Sequence, residues 1–217
     1  MCFNISIITS KNIIEKQLET KFSADYYFQP KKHISAFTNP EIPVITSDNK
    51  TIIQSCYWGL VPEWTEDIQK ANVIRKMTYN ARCETLKEKP SFRDSIKNKK
   101  CLIIADGFYE WQSMPTGKIC HFIRRPEETI FTFAGIWSDW LDKSTGEYLK
   151  SVSIITQSAN EMMSQIHNIK KRQPVILHKE HQNKWLDSGL DYEKILDASY
   201  NIKLISDRIK SPLKYKP

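Results

Sequence analysis

A cysteine stands directly behind Met1, at Cys2. Cells commonly remove a methionine that precedes a small residue, and its removal here would leave an α-amine and a thiol on one short carbon skeleton. An aldehyde condenses with such an amine. The neighbouring thiol then closes a five-membered thiazolidine ring, an intramolecular step favoured by high effective molarity. An ordinary α-amine titrates near ~7.7–8.0 and a free thiol near ~8.5, so both nucleophiles are expected in useful amounts at neutral pH. Taken alone, Cys2 also reads as a small apolar residue opening a buried strand.

Four further segments combine residues that generic packing does not demand. In Trp58-Gly59-Leu60-Val61-Pro62-Glu63-Trp64, two indoles flank a Gly and Pro turn, as a stacking platform for bases or a core pair at a strand end would. In Asn80-Ala81-Arg82-Cys83-Glu84-Thr85, Asn80 and Arg82 share a face if the chain is extended. An amide and a forked guanidinium could then address one ligand, Arg82 suiting a phosphate; a surface turn with a Glu84 salt bridge is the plainer alternative. An apolar run from Cys101 leads through Asp106-Gly107 to Phe108-Tyr109-Glu110-Trp111. Burial among those aromatics would raise the pKa of Glu110 and suit it to a general acid. Finally, His167 follows a helix candidate and precedes Lys170-Lys171-Arg172-Gln173-Pro174, where it could exchange protons or simply end the helix.

The elements that must position these residues are an amphipathic helix at 11–20, a hairpin from 42–46 and 51–58, and an extended connection over 21–41. Apolar runs at 101–105, 130–134, 152–156 and 174–177 read as core strands. Helices are expected at 159–166, capped by Ser158, and at 180–186 and 192–196. Strand clusters with scattered helices favour an α+β fold on antiparallel sheet, in a single domain over 1–217 whose last residues, 203–217, form a basic tail.

Composition narrows the function classes. Thirty-two Lys and Arg stand against 25 Asp and Glu, a formal charge of +7 that suits a polyanionic partner. The five cysteines include no C-x-x-C pair, so neither a disulfide framework nor a structural zinc site is expected. His178 and His181 lack the spacing of metal-binding helix motifs, and no metal or other cofactor is expected. Without a stretch of about 18 apolar residues, the chain is expected to be cytoplasmic, with no membrane partner.

Taken in order, from Cys2 through WGLVPEW, NARCET, DGFYEW and His167 to RQPVIL, the segments resemble the SRAP (SOS response-associated peptidase) family. The resemblance implies a barrel-like antiparallel sheet with peripheral helices, a monomer, and a covalent thiazolidine crosslink between Cys2 and abasic sites in single-stranded DNA. It implies catalytic roles for Cys2, Asn80, Glu110 and His167, and DNA contacts from Arg82, Arg172, Trp58, Trp64 and Trp111, with AP lyase and autoproteolytic activities as companions. The family places its histidine two residues before the arginine of an Arg-Met-Pro element; here Ile169-Lys170-Lys171 lengthens the interval and Gln173 replaces the methionine. Two other readings of the residues remain: an N-terminal-nucleophile peptidase or amidohydrolase using the Cys2 amine as its own base, and a non-covalent single-strand-binding module.

Overall fold

In a computed structural model that describes residues 2–126, 130–187 and 192–212, the chain alternates between strands and short helices. The first half runs β1 (Asn4–Ile7), α1 (Lys11–Leu18), β2 (Lys21–Phe22), β3 (Lys31–Ser35), β4 (Glu41–Thr46), β5 (Asn49–Trp58), α2 (Ile68–Arg75), β6 (Asn80–Arg82) and α3 (Ser95–Asn98). The second runs β7 (Lys100–Ala105), β8 (Gly107–Met114), β9 (Gly117–Arg124), β10 (Phe131–Asp142), β11 (Glu147–Ser158), α4 (Glu161–Ile166), β12 (Arg172–Pro174), β13 (Ile176–Leu177), α5 (Lys179–Leu186), α6 (Tyr192–Ala198) and β14 (Ile205–Ile209).

Five strands close on themselves. β4 pairs antiparallel with β5 and β7, β7 with β10, and β10 with β11. A parallel seam between β5 and β11, with Tyr57 opposite Ser151 and Trp58 opposite Val152, completes the ring. Closure leaves no free edge among these five strands. Because α5 and β1 pack on β7 while α3 packs on β10, these strands are covered from outside as well as within. That double burial is why β7 is apolar without interruption from Cys101 to Ala105, and Ile103, Ile104, Phe133 and Ile154 are fully enclosed.

A second, wholly antiparallel sheet in the order β3-β1-β8-β9-β14 leaves the barrel at Asp106-Gly107, where β7 hands over to β8. Gly107 is required by close approach, since a β-carbon there would lie 2.1 Å from Cζ of Phe122 on β9. Asp106 clamps β1 in place: its Oδ2 accepts the backbone N–H groups of Ile8 and of Thr9, the latter at 2.9 Å. β1 is thereby held beside β8 with Ile5 opposite Phe108, and the start of the chain enters the sheet.

The architecture is the expected α+β fold, with an antiparallel, barrel-like sheet and peripheral helices. Local differences have physical causes. The runs at 130–134 and 152–156 fall largely within two twelve-residue strands, β10 and β11, whose other halves interleave apolar with polar residues and so break the continuous apolar signal. Helix α4 is capped by Asn160, whose side chain accepts the N–H of Met163 at 3.0 Å, and not by Ser158. Within the segment expected as a basic tail, residues 205–209 form β14, which satisfies the open edge of β9 from Arg124 to Cys120; residues 213–217 of that tail lie outside the described residues. Among the described residues, no helix is long and apolar enough to cross a membrane.

Candidate active site

Asn80 is placed by the barrel seam. β6 runs parallel to β11, Asn80 opposite Ile154, and continues the pairing that β5 begins. The Trp58 indole N–H donates to the Tyr79 carbonyl at 2.9 Å, which tethers the residue before Asn80 to the barrel wall. Gly59 makes the intervening turn at φ 116°, where a β-carbon would stand 2.7 Å from the Arg75 carbonyl oxygen. From this position the Asn80 side-chain NH2 donates to the Cys2 carbonyl at 2.9 Å. Its other terminal atom, Oδ1, is buried and has no hydrogen-bond partner among the described residues.

Glu110 arrives from the other sheet. Cys2 lies two residues ahead of β1, which pairs with β8, and sits close enough to Glu110 for the carboxylate charge to act on its thiol. Cys2 is fully buried and Glu110 nearly so. Burial pushes the Cys2 thiol far above the ordinary thiol range, and the Glu110 charge pushes it further. The thiol is therefore held protonated, not partly ionised as its unperturbed value suggests. Burial likewise lifts the Glu110 carboxyl from 4.5 to about 7, which poises it between acid and base at neutral pH.

His167 caps the C-terminus of α4, a helix packed on β8. The contact is stapled on either side of His167. Gln112 of β8 donates to the Gln165 carbonyl at 3.1 Å, and Asn168 exchanges two bonds with the Ser113 backbone, at 3.0 and 2.8 Å. Burial lowers the His167 pKa to about 4, helped by the positive charge of Lys170 and partly opposed by the N–H that Arg172 donates to the ring. At pH 7 the ring is neutral, whereas the unperturbed value would leave it near its midpoint.

The residues expected to touch DNA divide. Arg82 is exposed and lines a groove of about 750 Å³ with Phe3, Met77, Tyr79, Asn80 and Lys89. Trp64 is half exposed over a second cavity of about 390 Å³, and the two hollows share Pro90 and Ser91 as a common wall. Trp111 is partly buried beside Glu110. Trp58 is fully buried in the barrel wall and offers no face to a base, which corrects its assignment as a stacking residue. Arg172 is likewise committed: its guanidinium forks onto the Glu84 carboxylate and also donates to the Thr156 carbonyl at 2.7 Å, so it is not open to a phosphate.

His121 escaped notice in the sequence. It lies directly opposite Glu110 on β9, is almost buried, and bonds through Nδ1 to the Ser206 hydroxyl at 2.8 Å and through Nε2 to Gln112 Oε1 at 3.3 Å. The signal was present in Met114-Pro115-Thr116-Gly117: a two-residue turn closing Met114 on Gly117 fixes the register that pairs Glu110 with His121. Among the described residues, no three His, Cys, Asp or Glu side chains group as a metal site would.

Comparison with known proteins fits this arrangement. The model of the SOS response associated peptidase (SRAP) family matches residues 1–209. The "Abasic site processing protein YoqW" of Bacillus subtilis (strain 168) is 34% identical, the match covering 100% of this chain and 97% of that protein. The "Abasic site processing protein HMCES" of Xenopus tropicalis is 31% identical over 65% of this chain and 47% of its own length. A crystal structure of a Bacteroides thetaiotaomicron protein superposes with a TM-score of 0.88 at 35% identity, covering 96% of this chain and 92% of that one. With the family model spanning residues 1–209, from Met1 to the end of β14, the chain belongs to the SRAP family.

Proposed function

We propose that this protein processes abasic sites in DNA by covalent capture. In single-stranded DNA the ring-opened deoxyribose would present its aldehyde to the α-amine of Cys2, freed by removal of Met1. The observation that carries this reading is the meeting of Cys2, Asn80 and Glu110 beside the groove that Arg82 lines. The names of YoqW and HMCES support the substrate class.

Attack of the amine on the aldehyde carbon forms a C–N bond and, after loss of water, a Schiff base. The thiol then adds to the imine carbon, its proton passing to the nitrogen, and the thiazolidine closes. Glu110, half protonated near pH 7, can give a proton to the sugar oxygen as the ring opens and accept the thiol proton as sulfur bonds. Neutral His167 can relay protons during Schiff-base formation without placing a cation beside the iminium. Asn80 holds the Cys2 carbonyl, and its open Oδ1 can accept from the freed amine or a sugar hydroxyl. The same Schiff base is the species from which β-elimination breaks the strand, so the thiol decides between crosslink and lyase. Arg82, Trp64 and Trp111 would hold the flanking strand, and the net charge of +7 favours its approach.

Intact-mass spectrometry before and after exposure to an abasic oligonucleotide tests the reading. The expected species is the chain without Met1, shifted by one oligonucleotide minus one water; a mature chain that retains Met1 and still forms the adduct would exclude the aminothiol. Arg82→Ala is expected to weaken non-covalent binding and reduce the salt dependence by roughly one phosphate contact. Affinity titrations at several salt concentrations check this, and an unchanged slope would remove Arg82 from the phosphate path.

A further inference from the structure

The lengthened segment between His167 and Arg172 folds back on the histidine ring. Lys171 donates its backbone N–H to the His167 carbonyl at 2.9 Å, and the Lys171 carbonyl accepts from Ala159 at 2.9 Å. To make this return, Lys171 adopts φ 46°, a left-handed conformation that residues other than glycine and asparagine avoid. The next residue then points its backbone N–H at the ring: Arg172 donates to Nδ1 of His167 at 3.0 Å. A backbone N–H only donates, so Nδ1 is an unprotonated acceptor and the neutral ring carries its proton on Nε2.

Arg172 is held from its other end. Its two terminal nitrogens fork onto the two oxygens of Glu84, the Nη2–Oε2 contact being 2.9 Å, and Nη2 donates to the Thr156 carbonyl at 2.7 Å. The Arg172 side chain is only 11% exposed. Glu84 lies in the 3-10 turn Cys83–Thr85 that follows β6, the strand that carries Asn80 and Arg82. One arginine therefore links two parts of the site, by its side chain to the β6 turn and by its backbone to the imidazole.

We infer that Glu84 is a positioning residue that, by anchoring Arg172, fixes His167 as its Nε2–H tautomer and presents that N–H for proton transfer. The inference rests on the proposed role of His167 in abasic-site capture, but the state of the ring can be read without DNA. In the full chain labelled with 15N-histidine, with His167 assigned by its loss in His167→Gln, Nδ1 should appear pyridine-like and Nε2 pyrrole-like. A wild-type ring protonated on Nδ1 overturns the inference without any further variant.

Glu84→Gln, which keeps the shape but loses the charged fork, is expected to mix the two tautomers and to slow adduct formation about 10-fold, the scale of a slight misplacement. Glu84→Asp should recover most of both. Lys171→Gly relieves the left-handed backbone and retains the hydrogen bonds, so its ring signature should match wild type. If Glu84→Gln keeps the wild-type ring signature, or instead binds DNA more tightly with a steeper salt dependence, Arg172 is a phosphate ligand restrained by Glu84 and the inference fails. Absence of any wild-type adduct would count against the proposed function alone, since the ring signature is judged separately.

Discussion

Cys2→Ala should abolish the adduct that survives denaturation while leaving a Schiff base that borohydride can trap. Alanine at position two still permits methionine removal and so still supplies the amine, but nothing then closes the ring. Without sulfur the imine remains open to hydrolysis and to β-elimination, so strand cleavage should rise as the stable band vanishes. The expected loss is complete on a denaturing gel with an abasic single-stranded oligonucleotide, because the closure step owes its rate to an intramolecular nucleophile with no external substitute. A stable band of wild-type intensity from Cys2→Ala would mean that another group bonds the sugar.

Glu110→Gln carries the second large effect, and it acts on both rate and stability. Removing a positioned acid and base typically costs about 10²–10⁴-fold, and the amide can neither give the sugar its proton nor receive one from a thiol held protonated by burial. Wild-type adduct formation should fall as pH rises through about 7 if the acid form is the one used in the slow step; Glu110→Gln should lose that inflection. For stability the sign is fixed by the raised pKa. The folded state binds this proton more tightly than the unfolded chain, so the carboxyl imposes no penalty below about 4.5 and its full penalty above about 7. The span corresponds to about 3 kcal/mol. Denaturant titrations from pH 5 to 8 should therefore show Glu110→Gln gaining on wild type as pH rises, and parallel curves would place Glu110 in a more hydrated setting.

The barrel was legible in the sequence where strands are apolar on both faces, as at Cys101–Ala105, and illegible where a strand interleaves apolar with polar residues, as β10 does over Trp137–Asp142 and β11 over Glu147–Ser151. Glu110 was found because a carboxyl among Phe108, Tyr109 and Trp111 has few reasons to be there. Its partners were harder to see. The Asn80 bond to Cys2 spans 78 residues and exists only because β6 extends a parallel seam that no local pattern announces. Trp58 and Arg172 show the converse failure: both residue types suit DNA, yet one is spent on the Tyr79 carbonyl and the other on Glu84. Side-chain chemistry is written in the sequence, but exposure is decided by which strands close the barrel.

The enclosure of Cys2 also sets an order of events in the life of the molecule. β6, whose Asn80 holds the Cys2 carbonyl, pairs in turn with β11, which is synthesised long after Cys2, and parallel pairing between such distant segments is a slow step in folding. Once the seam zips, Cys2 is fully buried. Under the proposed capture by the Cys2 amine, removal of Met1 by an external aminopeptidase is therefore expected before that seam closes, and any later removal falls to the folded chain itself.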